Sequence, residues 1–270
     1  MSRPRVMGIV NVTPDSFSDG GRLTTIEAAV AHALALVEQG ADIIDIGGES
    51  TRPGAEPVSV ADEIARVVPV IEGIRARWPG PISVDTMKPE VARAAIAAGA
   101  TMWNDVTALT FSPDSLATAA ALGCDLVLMH MQGEPRTMQA APAYDDVVTE
   151  VCAELAVRAR AAMAAGVARE RIWLDPGIGF GKTLEHNLAL TASLGRLIDL
   201  GFPVLYAASR KRTIAMIDPT ATDPDDRIGG SLALALEGAA RGAAMIRVHD
   251  VRETVQALKV QAAVDAAAAP

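Results

Sequence analysis

Six polar residues stand out because each lies at, or just after, the end of a short apolar run that is typical of a buried strand. They are Asn11, Asp85, Asn104, Asp175, Lys211 and Arg247. The carboxylates and amides suit a flat heterocycle that presents several N–H donors and ring acceptors. Any one of these residues is equally well explained as a helix cap or a solvated loop residue. Helix caps have no need of lysine, arginine and a buried type of asparagine in one place, so the set predicts one binding pocket.

A second set offers positive charge and hydrogen-bond donors suited to phosphate oxygens. Arg52 follows the second apolar run, Lys211 the seventh, and Arg247 and His249 the eighth. A planar guanidinium binds two phosphate oxygens at once. His249 is explained equally simply as a surface histidine, and His130 as a core histidine with satisfied hydrogen bonds. No His, Cys and Asp cluster has the spacing of a zinc site held by protein ligands alone, whereas magnesium shared between a substrate diphosphate and one protein oxygen stays open.

The turn at 174–183 is the most unusual connection in the chain. An apolar run from Ile172 ends on Asp175 and is followed by a proline and three glycines. Glycines allow the backbone to approach a flat ligand closely. Gly177 and Gly181 are too close for a phosphate-binding P-loop, and the spacing G-x-G-x-G is not the dinucleotide fingerprint. The turn is therefore either a ligand-contacting turn of another kind or an ordinary strand-to-helix connection.

Composition excludes several classes of protein. The 270 residues are 50% hydrophobic and carry a net charge of −9, which argues against nucleic acid as a partner. Apolar runs are too short to span a bilayer, and only five residues precede the first one, which leaves no room for a signal peptide. Cys124 and Cys152 lie in apolar contexts and are interpreted as reduced core residues rather than a disulfide. We expect a cytoplasmic protein with no membrane association.

The order of apolar runs predicts the fold. Eight short apolar runs each precede an amphipathic helical pattern, and such alternation implies a parallel sheet. Eight units in this length fit an α/β (β/α)8 TIM barrel better than an open doubly wound sheet. Because no linker or change in composition divides the chain, residues 1–270 are predicted to form a single domain. The carboxyl ends of barrel strands share one rim, so the polar residues above would converge there. Asp45 and Glu49 are assigned structural roles.

Two connections exceed the length of about 2 to 6 residues that is usual between a strand and its helix. They span 12–22, which contains Phe17, and 47–57, which contains Arg52 and Pro53. Loops of this length tend to be functional or mobile, and we expect both to take part in binding.

Seven motifs together resemble the dihydropteroate synthase family and cover nearly the whole chain in the same order. They are 11–21 (NVTPDSFSDGG), 47–55 (GGESTRPGA), 83–86 (SVDT), 104–106 (NDV), 175–182 (DPGIGFGK), 209–211 (SRK) and 247–250 (RVHD). The first two and the fifth are specific, whereas NDV or SRK alone would mean little. The sequence departs from the family pattern at Thr107-Ala108-Leu109, where a Ser-Gly-type sequence is more usual, and after Lys211, where a glycine is often found.

The resemblance implies a reaction and a set of site residues. The family joins 6-hydroxymethyl-7,8-dihydropterin diphosphate to p-aminobenzoate, and it releases diphosphate and 7,8-dihydropteroate. It implies magnesium (Mg2+) as cofactor, with Asn11 as the protein ligand, and a homodimer. The implied pterin-binding residues are Asp85, Asn104, Asp175, Phe180, Lys211 and Arg247, of which Asp85, Asp175, Lys211 and Arg247 are the catalytic set. The implied diphosphate residues are Asn11, Arg52, Arg247 and His249, and those for p-aminobenzoate are Phe17, Thr51, Pro53 and Ser209.

Two rival interpretations share parts of this pattern. A pterin-binding methyltransferase that works with a corrinoid protein would keep the pterin carboxylates and asparagine but would not need motifs 11–21 and 50–55. A non-catalytic pterin- or phosphate-binding relative is disfavoured because every matched charged position is intact.

Overall fold

The computed structural model describes residues 3–12, 26–50, 55–134 and 137–268, and within them one parallel sheet of eight strands is ordered β6-β5-β4-β3-β2-β1-β8-β7. The strands are β1 Arg5–Asn11, β2 Ile43–Gly47, β3 Ile82–Asp85, β4 Met102–Asp105, β5 Asp125–Met129, β6 Ile172–Asp175, β7 Leu205–Tyr206 and β8 Met245–Val248. A parallel bridge between Leu174 and Val204 connects the two ends of this order. The sheet is therefore a barrel, and the predicted (β/α)8 fold is confirmed.

Helices follow the strands along the chain. They are α1 Ile26–Glu38, α2 Val60–Arg75, α3 Pro89–Ala97, α4 Ser115–Leu122, α5 Val147–Ala165, α6 Leu184–Ala192, α7 Leu194–Ile198, α8 Arg212–Ile217, α9 Ile228–Ala240 and α10 Val251–Ala268. Two 3-10 turns, Arg169–Arg171 and Pro224–Arg227, precede β6 and α9. Within the described ranges, no helix is long and apolar enough to cross a membrane.

Local sequence explains where several helices begin. Ser59 accepts a hydrogen bond from the Asp62 amide at the start of α2, and Thr183 forms a capping box with His186 at the start of α6. These bonds satisfy amide groups that have no partner inside the helix. Pro69 lies inside α2, yet the helix is continuous from Val60 to Arg75. The sequence alone predicts a kink or a shifted boundary there.

The barrel interior is layered because successive strand residues point to opposite faces. One core cluster contains only residues from strands or their immediate ends, so it fills the barrel: Met7, Ile43, Met102, Val127, Trp173, Leu205, Ala207 and Met245. The larger cluster combines the outward strand residues with the helices. Two residues beyond the inner apolar floor, the same strand faces carry Asp45, Asn104, Asp175 and Arg247. Strand alternation thus builds a polar layer directly above an apolar floor.

Both cysteines are free, as the sequence predicts. Cys124 is buried and Cys152 is partly buried. Burial in an apolar environment raises the pKa of the Cys124 thiol to about 11, so it stays protonated and unreactive at neutral pH.

Candidate functional site

Arg247 is the centre of the polar layer. Its Nε donates to Asp45 Oδ2 at 2.6 Å and its Nη2 donates to Asp85 Oδ2 at 2.7 Å. Asn104 Nδ2 lies 3.4 Å from the same Asp45 oxygen, and Asp45 is fully buried. These bonds tie β2, β3, β4 and β8 together at the carboxyl ends of the strands. The structure therefore brings Asp85, Asn104 and Arg247 together, as predicted.

One guanidinium shared by two carboxylates leaves an excess of negative charge. Burial raises the pKa of Asp85 to about 7, although Arg247 lowers it, and the nearby Asp45 raises it further. For Arg247, burial alone would lower the pKa, but Asp45 and Asp85 raise it above its ordinary value. Arg247 is therefore always charged, whereas Asp85 can take up a proton near neutral pH.

Asn11 lies at the end of β1, beside this cluster. A Cβ atom built on Gly47 would lie 3.5 Å from Asn11 Oδ1 and 3.7 Å from Asp85 Cβ, so only the Gly47 backbone separates them. An amide oxygen is a ligand that magnesium accepts, and magnesium commonly takes one or two protein oxygens together with substrate phosphates. Among the described residues, no group of three or more His, Cys, Asp and Glu side chains could hold a metal ion. The donor set fits magnesium carried largely by a phosphorylated substrate.

Asp175 closes the other side of the layer. It is buried, and its Oδ1 accepts a hydrogen bond from the Gly177 amide at 2.7 Å. Burial raises the pKa of Asp175, while Lys211 and the Gly177 bond lower it. Gly177 has φ +67°, and a Cβ atom there would lie 1.8 Å from the His130 carbonyl oxygen. Only glycine fits this position, which explains the glycine that the sequence places after Asp175.

Lys211 and Phe180 form a wall above the turn that follows β6. The Lys211 Nζ lies 4.7 Å from the centre of the Phe180 ring, within the range of a cation–π interaction. The same Nζ donates to the Ile178 carbonyl. Burial lowers the pKa of Lys211 to about 8, and Asp175 partly opposes this. The lysine is thus held against the turn that bears two other predicted pterin-site residues.

The ends of β7 and β8 are tied together by the remaining predicted residues. Ser209 Oγ lies 3.1 Å from His249 Nδ1 and accepts the His249 amide at 3.2 Å. Arg210, at φ +57°, donates to both carboxylate oxygens of Asp250, at 3.0 and 2.7 Å. The structure therefore brings Ser209 and His249, two residues predicted for different ligands, into direct contact.

Four predicted site residues lie outside the described part of the chain: Phe17, Thr51, Arg52 and Pro53. The base of the second long loop is described. Glu49 Oε1 accepts the Val58 amide at 2.9 Å, and Glu49 Oε2 accepts from Lys88 Nζ at 2.6 Å. Glu49 therefore joins both ends of that loop, which agrees with its predicted structural role.

Two buried charged residues contribute more to the site than their sequence context indicates. Asp45 was predicted to be structural, yet it holds Arg247 within the polar layer. The available signal was a charged residue within the apolar run Ile43-Ile44-Asp45-Ile46. Lys182 was not selected, although it is buried and bonded to His130. His130 is a satisfied core histidine, as one of its two interpretations predicted.

Comparison with known proteins identifies the family. The family described as "Pterin binding enzyme" matches residues 7–249. The chain belongs to this family. Dihydropteroate synthase from Escherichia coli (strain K12) is 50% identical over 260 residues, which cover 96% of this chain and 91% of the relative. The predicted family resemblance is confirmed.

Solved structures agree with this family assignment. Xanthomonas albilineans dihydropteroate synthase with 4-aminobenzoic acid has a TM-score of 0.91 and 55% identity, covering 98% of this chain and 94% of that chain. The enzyme from the same organism in complex with 7,8-dihydropteroate has a TM-score of 0.88 and 53% identity, with 100% and 95% covered. Yersinia pestis dihydropteroate synthase with a sulfonamide drug has a TM-score of 0.93 at 45% identity, covering 98% and 95%.

Proposed function

We infer that this protein catalyses the dihydropteroate synthase reaction. It joins 6-hydroxymethyl-7,8-dihydropterin diphosphate to p-aminobenzoate and releases 7,8-dihydropteroate and diphosphate. The observation that carries this inference is the polar layer around Arg247, in a chain 50% identical to a dihydropteroate synthase over 96% of its length. A pterin presents ring N–H donors and acceptors that match carboxylates and an amide above an apolar floor.

The site residues are assigned to the pterin ring, to the diphosphate group or to p-aminobenzoate. Asp85, Asn104 and Asp175 bind the edge of the pterin, with Phe180 and Lys211 along its side. His249 and Arg52 are assigned to the diphosphate, and Ser209, Phe17, Thr51 and Pro53 are assigned to p-aminobenzoate. Arg247 keeps its charge at every relevant pH and has donors beyond the two that bind Asp45 and Asp85, so it can contact both the ring and phosphate oxygens.

The reaction breaks the bond between the pterin methylene and the diphosphate oxygen and forms a bond from that methylene to the arylamine nitrogen. The bonding electrons leave with diphosphate, and the arylamine nitrogen releases one proton to solvent. Positive charge that develops on the methylene is delocalised by the ring and stabilised by Asp85 and Asp175 in a low-dielectric site. A cation-like route demands little of the weakly nucleophilic arylamine, so the site works without a dedicated general base.

Magnesium fits this site as a cofactor that arrives with the diphosphate. Asn11 would hold it, since its amide oxygen lies at the rim beside Asp85. The ion would neutralise charge on the departing diphosphate. Removal of divalent cations by a chelator should abolish turnover, and added magnesium should restore it.

We also propose that the protein works in the cytoplasm as a homodimer. Support for an assembly comes from exposed apolar side chains on α9 and α10, namely Ile228, Val260 and Val264. Light scattering of the purified protein would give its mass directly, and a monomer at micromolar concentration would contradict this proposal.

The deciding experiment is incubation with pterin diphosphate, p-aminobenzoate and magnesium. Release of diphosphate together with 7,8-dihydropteroate is the expected result. Tight pterin binding without either product would instead indicate a non-catalytic pterin-binding protein. Methyl transfer to a corrinoid protein, without diphosphate release, would indicate the other rival.

A further inference from the structure

The turn after β6 is held at four consecutive carbonyl groups, three of them bonded by side chains from elsewhere in the fold and the fourth by Lys182 at the end of the turn itself. The carbonyls and their donors are Ile178 with Lys211, Gly179 with Gln139, Phe180 with Lys182, and Gly181 with Tyr144. Among these donors Lys182 is the most enclosed, with only 3% of its surface exposed. A buried ammonium is costly unless its donors are all satisfied. The burial of Lys182 therefore has to be offset by hydrogen bonds to its ammonium group.

All three hydrogens of the Lys182 ammonium have an acceptor. Nζ lies 2.9 Å from the Phe180 carbonyl oxygen, 2.9 Å from His130 Nδ1 and 3.3 Å from the His130 carbonyl oxygen. His130 comes directly after β5, and Phe180 lies in the turn after β6. Lys182 thus connects the ends of two neighbouring strands through a single buried group, and burial lowers the pKa of this group to about 7.

A residue at the surface, Glu154, fixes which nitrogen of His130 carries the hydrogen. His130 Nε2 lies 3.2 Å from Glu154 Oε2 on α5, and Glu154 is half exposed. A carboxylate accepts, so Nε2 carries the hydrogen and Nδ1 presents a lone pair to Lys182. The same contact lowers the pKa of Glu154. A hydrogen-bonded chain therefore joins Glu154, His130, Lys182 and the Phe180 carbonyl, in which Lys182 donates to both of its neighbours and His130 donates to Glu154.

The glycines of the turn allow it to approach the backbone of the segment after β5 closely. A Cβ atom on Gly177 would lie 1.8 Å from the His130 carbonyl oxygen and 3.3 Å from Lys182 Nζ, and one on Gly181 would lie 2.4 Å from the Gln132 carbonyl oxygen. The turn is packed directly against the segment after β5. A small displacement of Lys182 would therefore move Phe180, whose ring supports Lys211.

We propose that Lys182 is a positioning residue of the pterin site, which sets the place of Phe180 and of the carbonyl that holds Lys211, with His130 and Glu154 orienting it from behind. The proposal rests on the proposed function, because it concerns binding of the pterin. Lys182 does not touch substrate, since its ammonium faces the protein interior and is enclosed by the turn. Lys182 affects the bound substrate only indirectly, through the positions of Phe180, Ile178 and Lys211.

The test compares Lys182→Met with the unsubstituted protein. Methionine keeps the length and apolar stem but removes all three donors. We expect the dissociation constant of 6-hydroxymethyl-7,8-dihydropterin, measured by calorimetry, to rise about 10- to 100-fold, as the loss of the buried hydrogen bonds of Lys182 implies. The Michaelis constant for p-aminobenzoate should change by less than about threefold. Lys259→Met, at an exposed position on α10, is the matched control and should leave both constants unchanged.

A merely structural role would give a different result. It would lower the melting temperature and the active fraction, while the folded protein kept its pterin affinity and both Michaelis constants. Pterin affinity within about twofold of the unsubstituted protein, in folded Lys182→Met, overturns the proposal. Because calorimetry needs no turnover, an unsubstituted protein that binds pterin but releases no diphosphate contradicts the proposed function alone.

A second variant covers the case in which Lys182→Met does not fold. Glu154→Ala removes the acceptor of His130 from a half-exposed position and leaves Lys182 in place. We expect a smaller loss of pterin affinity, about 2- to 10-fold, because the imidazole loses its fixed orientation. Unchanged pterin affinity in Glu154→Ala would likewise overturn the proposal.

Discussion

At Asp85, the charge that is needed for catalysis lowers the stability of the folded protein. Burial raises its pKa from 3.8 to about 7, so between these values the folded protein holds a proton that the unfolded chain has released. Stability therefore falls as pH rises through this window, and the full cost is present above about pH 7. The carboxylate is retained at this cost, which is expected of a group whose charge is needed for catalysis.

Asp85→Asn should therefore give a less active but more stable protein. We expect kcat/KM for pterin diphosphate to fall about 10²-fold, since a charge that stabilises the developing cation is lost. Near pH 8 the melting temperature should rise, by about 2–4 °C for each kcal/mol recovered. The gain should vanish as pH falls to about 4, because Asp85 is then neutral in the folded state and the unfolded chain takes up its proton as well. A melting temperature that is lower at every pH would contradict the charge assignment.

Asp175→Asn tests the second carboxylate. The amide oxygen can still accept from the Gly177 amide, so the turn should keep its conformation and the protein should remain folded. Pterin affinity and kcat should both fall, because the charge beside Lys211 is lost. Calorimetric titration of pterin and a circular dichroism melt measure the two effects separately. Turnover and pterin affinity equal to those of the unsubstituted protein would remove Asp175 from the site.

Arg247 contributes more to the stability of the folded protein than its position in the sequence indicates. Arg247→Ala would leave Asp45 and Asp85 buried without a counter-charge, and removal of one partner of a buried pair costs about 3–5 kcal/mol. Arg241→Ala, which breaks a surface pair with Glu237, should cost less than about 1 kcal/mol. Urea denaturation of both variants measures the difference. Equal unfolding free energies would show that the Asp45 and Asp85 contacts contribute nothing to stability.

The positive charge of Arg247 should also be needed for binding of the diphosphate substrate. In the folded fraction, Arg247→Ala should impair use of the diphosphate substrate far more than binding of a pterin without diphosphate, because a phosphate-binding cation is lost in an acidic protein. Calorimetry with both ligands separates the two roles. An equal loss for both would mean that Arg247 contacts only the ring.

For individual residues, the sequence predicts which side chains belong to the site better than it predicts which side chains they contact. Asp85, Asn104, Asp175, Lys211 and Arg247 follow from their positions at strand ends, and the structure brings them to one rim. Asp45 and Lys182 act through pairings 202 and 52 residues apart in sequence, and such pairings are invisible without the three-dimensional register.

Among the elements, the turn after β6 carries the strictest demands on sequence. Gly177→Ala should destabilise the protein strongly, since the left-handed backbone alone costs about 1–2 kcal/mol and a Cβ atom would collide with the His130 carbonyl. Gly195→Ala is the matched control. Gly195 lies in α7 with nothing within 4 Å of its Cβ position, so alanine should be neutral or should stabilise by about 0.5–1 kcal/mol. Thermal melts compare the two, and equal destabilisation would contradict the close approach at Gly177.

Element boundaries show where sequence patterns reach their limit. The apolar pattern from Leu188 to Ile198 predicts one helix, but the structure divides it at Ser193 into α6 and α7. After β4, Ala108 and Leu109 have φ values of 49° and 64° without glycine. Asp105 accepts the Leu109 amide and Arg158 donates to both carbonyls, so tertiary hydrogen bonds hold a backbone conformation that local propensity disfavours.

For the whole molecule, the barrel itself was the most predictable feature. Alternating apolar runs and amphipathic helices fix the architecture, and the architecture then fixes which strand ends share a rim. The two long loops are different, because their sequences follow no strand or helix pattern and the architecture therefore does not predict their conformation. The residues predicted to bind p-aminobenzoate divide in the same way: Ser209 is held by His249, whereas Phe17, Thr51 and Pro53 belong to those loops.

This division leads to a prediction about the order of binding. The pterin residues are already held by internal bonds: Arg247 by two carboxylates, Asp175 by Gly177, and Lys211 by the turn. The loop at 12–22 has two adjacent glycines, polar flanks and one aromatic residue, Phe17, a composition typical of a segment that closes over substrate. If p-aminobenzoate had to order two loops by itself, its few atoms could not offset the entropic cost.

We therefore expect p-aminobenzoate to bind measurably only after the pterin site holds pterin, diphosphate and magnesium. Titration of p-aminobenzoate into the free protein, and again into protein with these ligands, measures the difference directly. Phe17→Ala should raise the Michaelis constant for p-aminobenzoate by about 10-fold and leave pterin affinity nearly unchanged, because Phe17 is assigned to the p-aminobenzoate site and not to the pterin site. Phe111→Ala, at an exposed aromatic residue between β4 and α4, is the control and should change neither constant. Equal p-aminobenzoate affinity in the two titrations would mean that its site exists before the pterin arrives, and that the long loops serve another step.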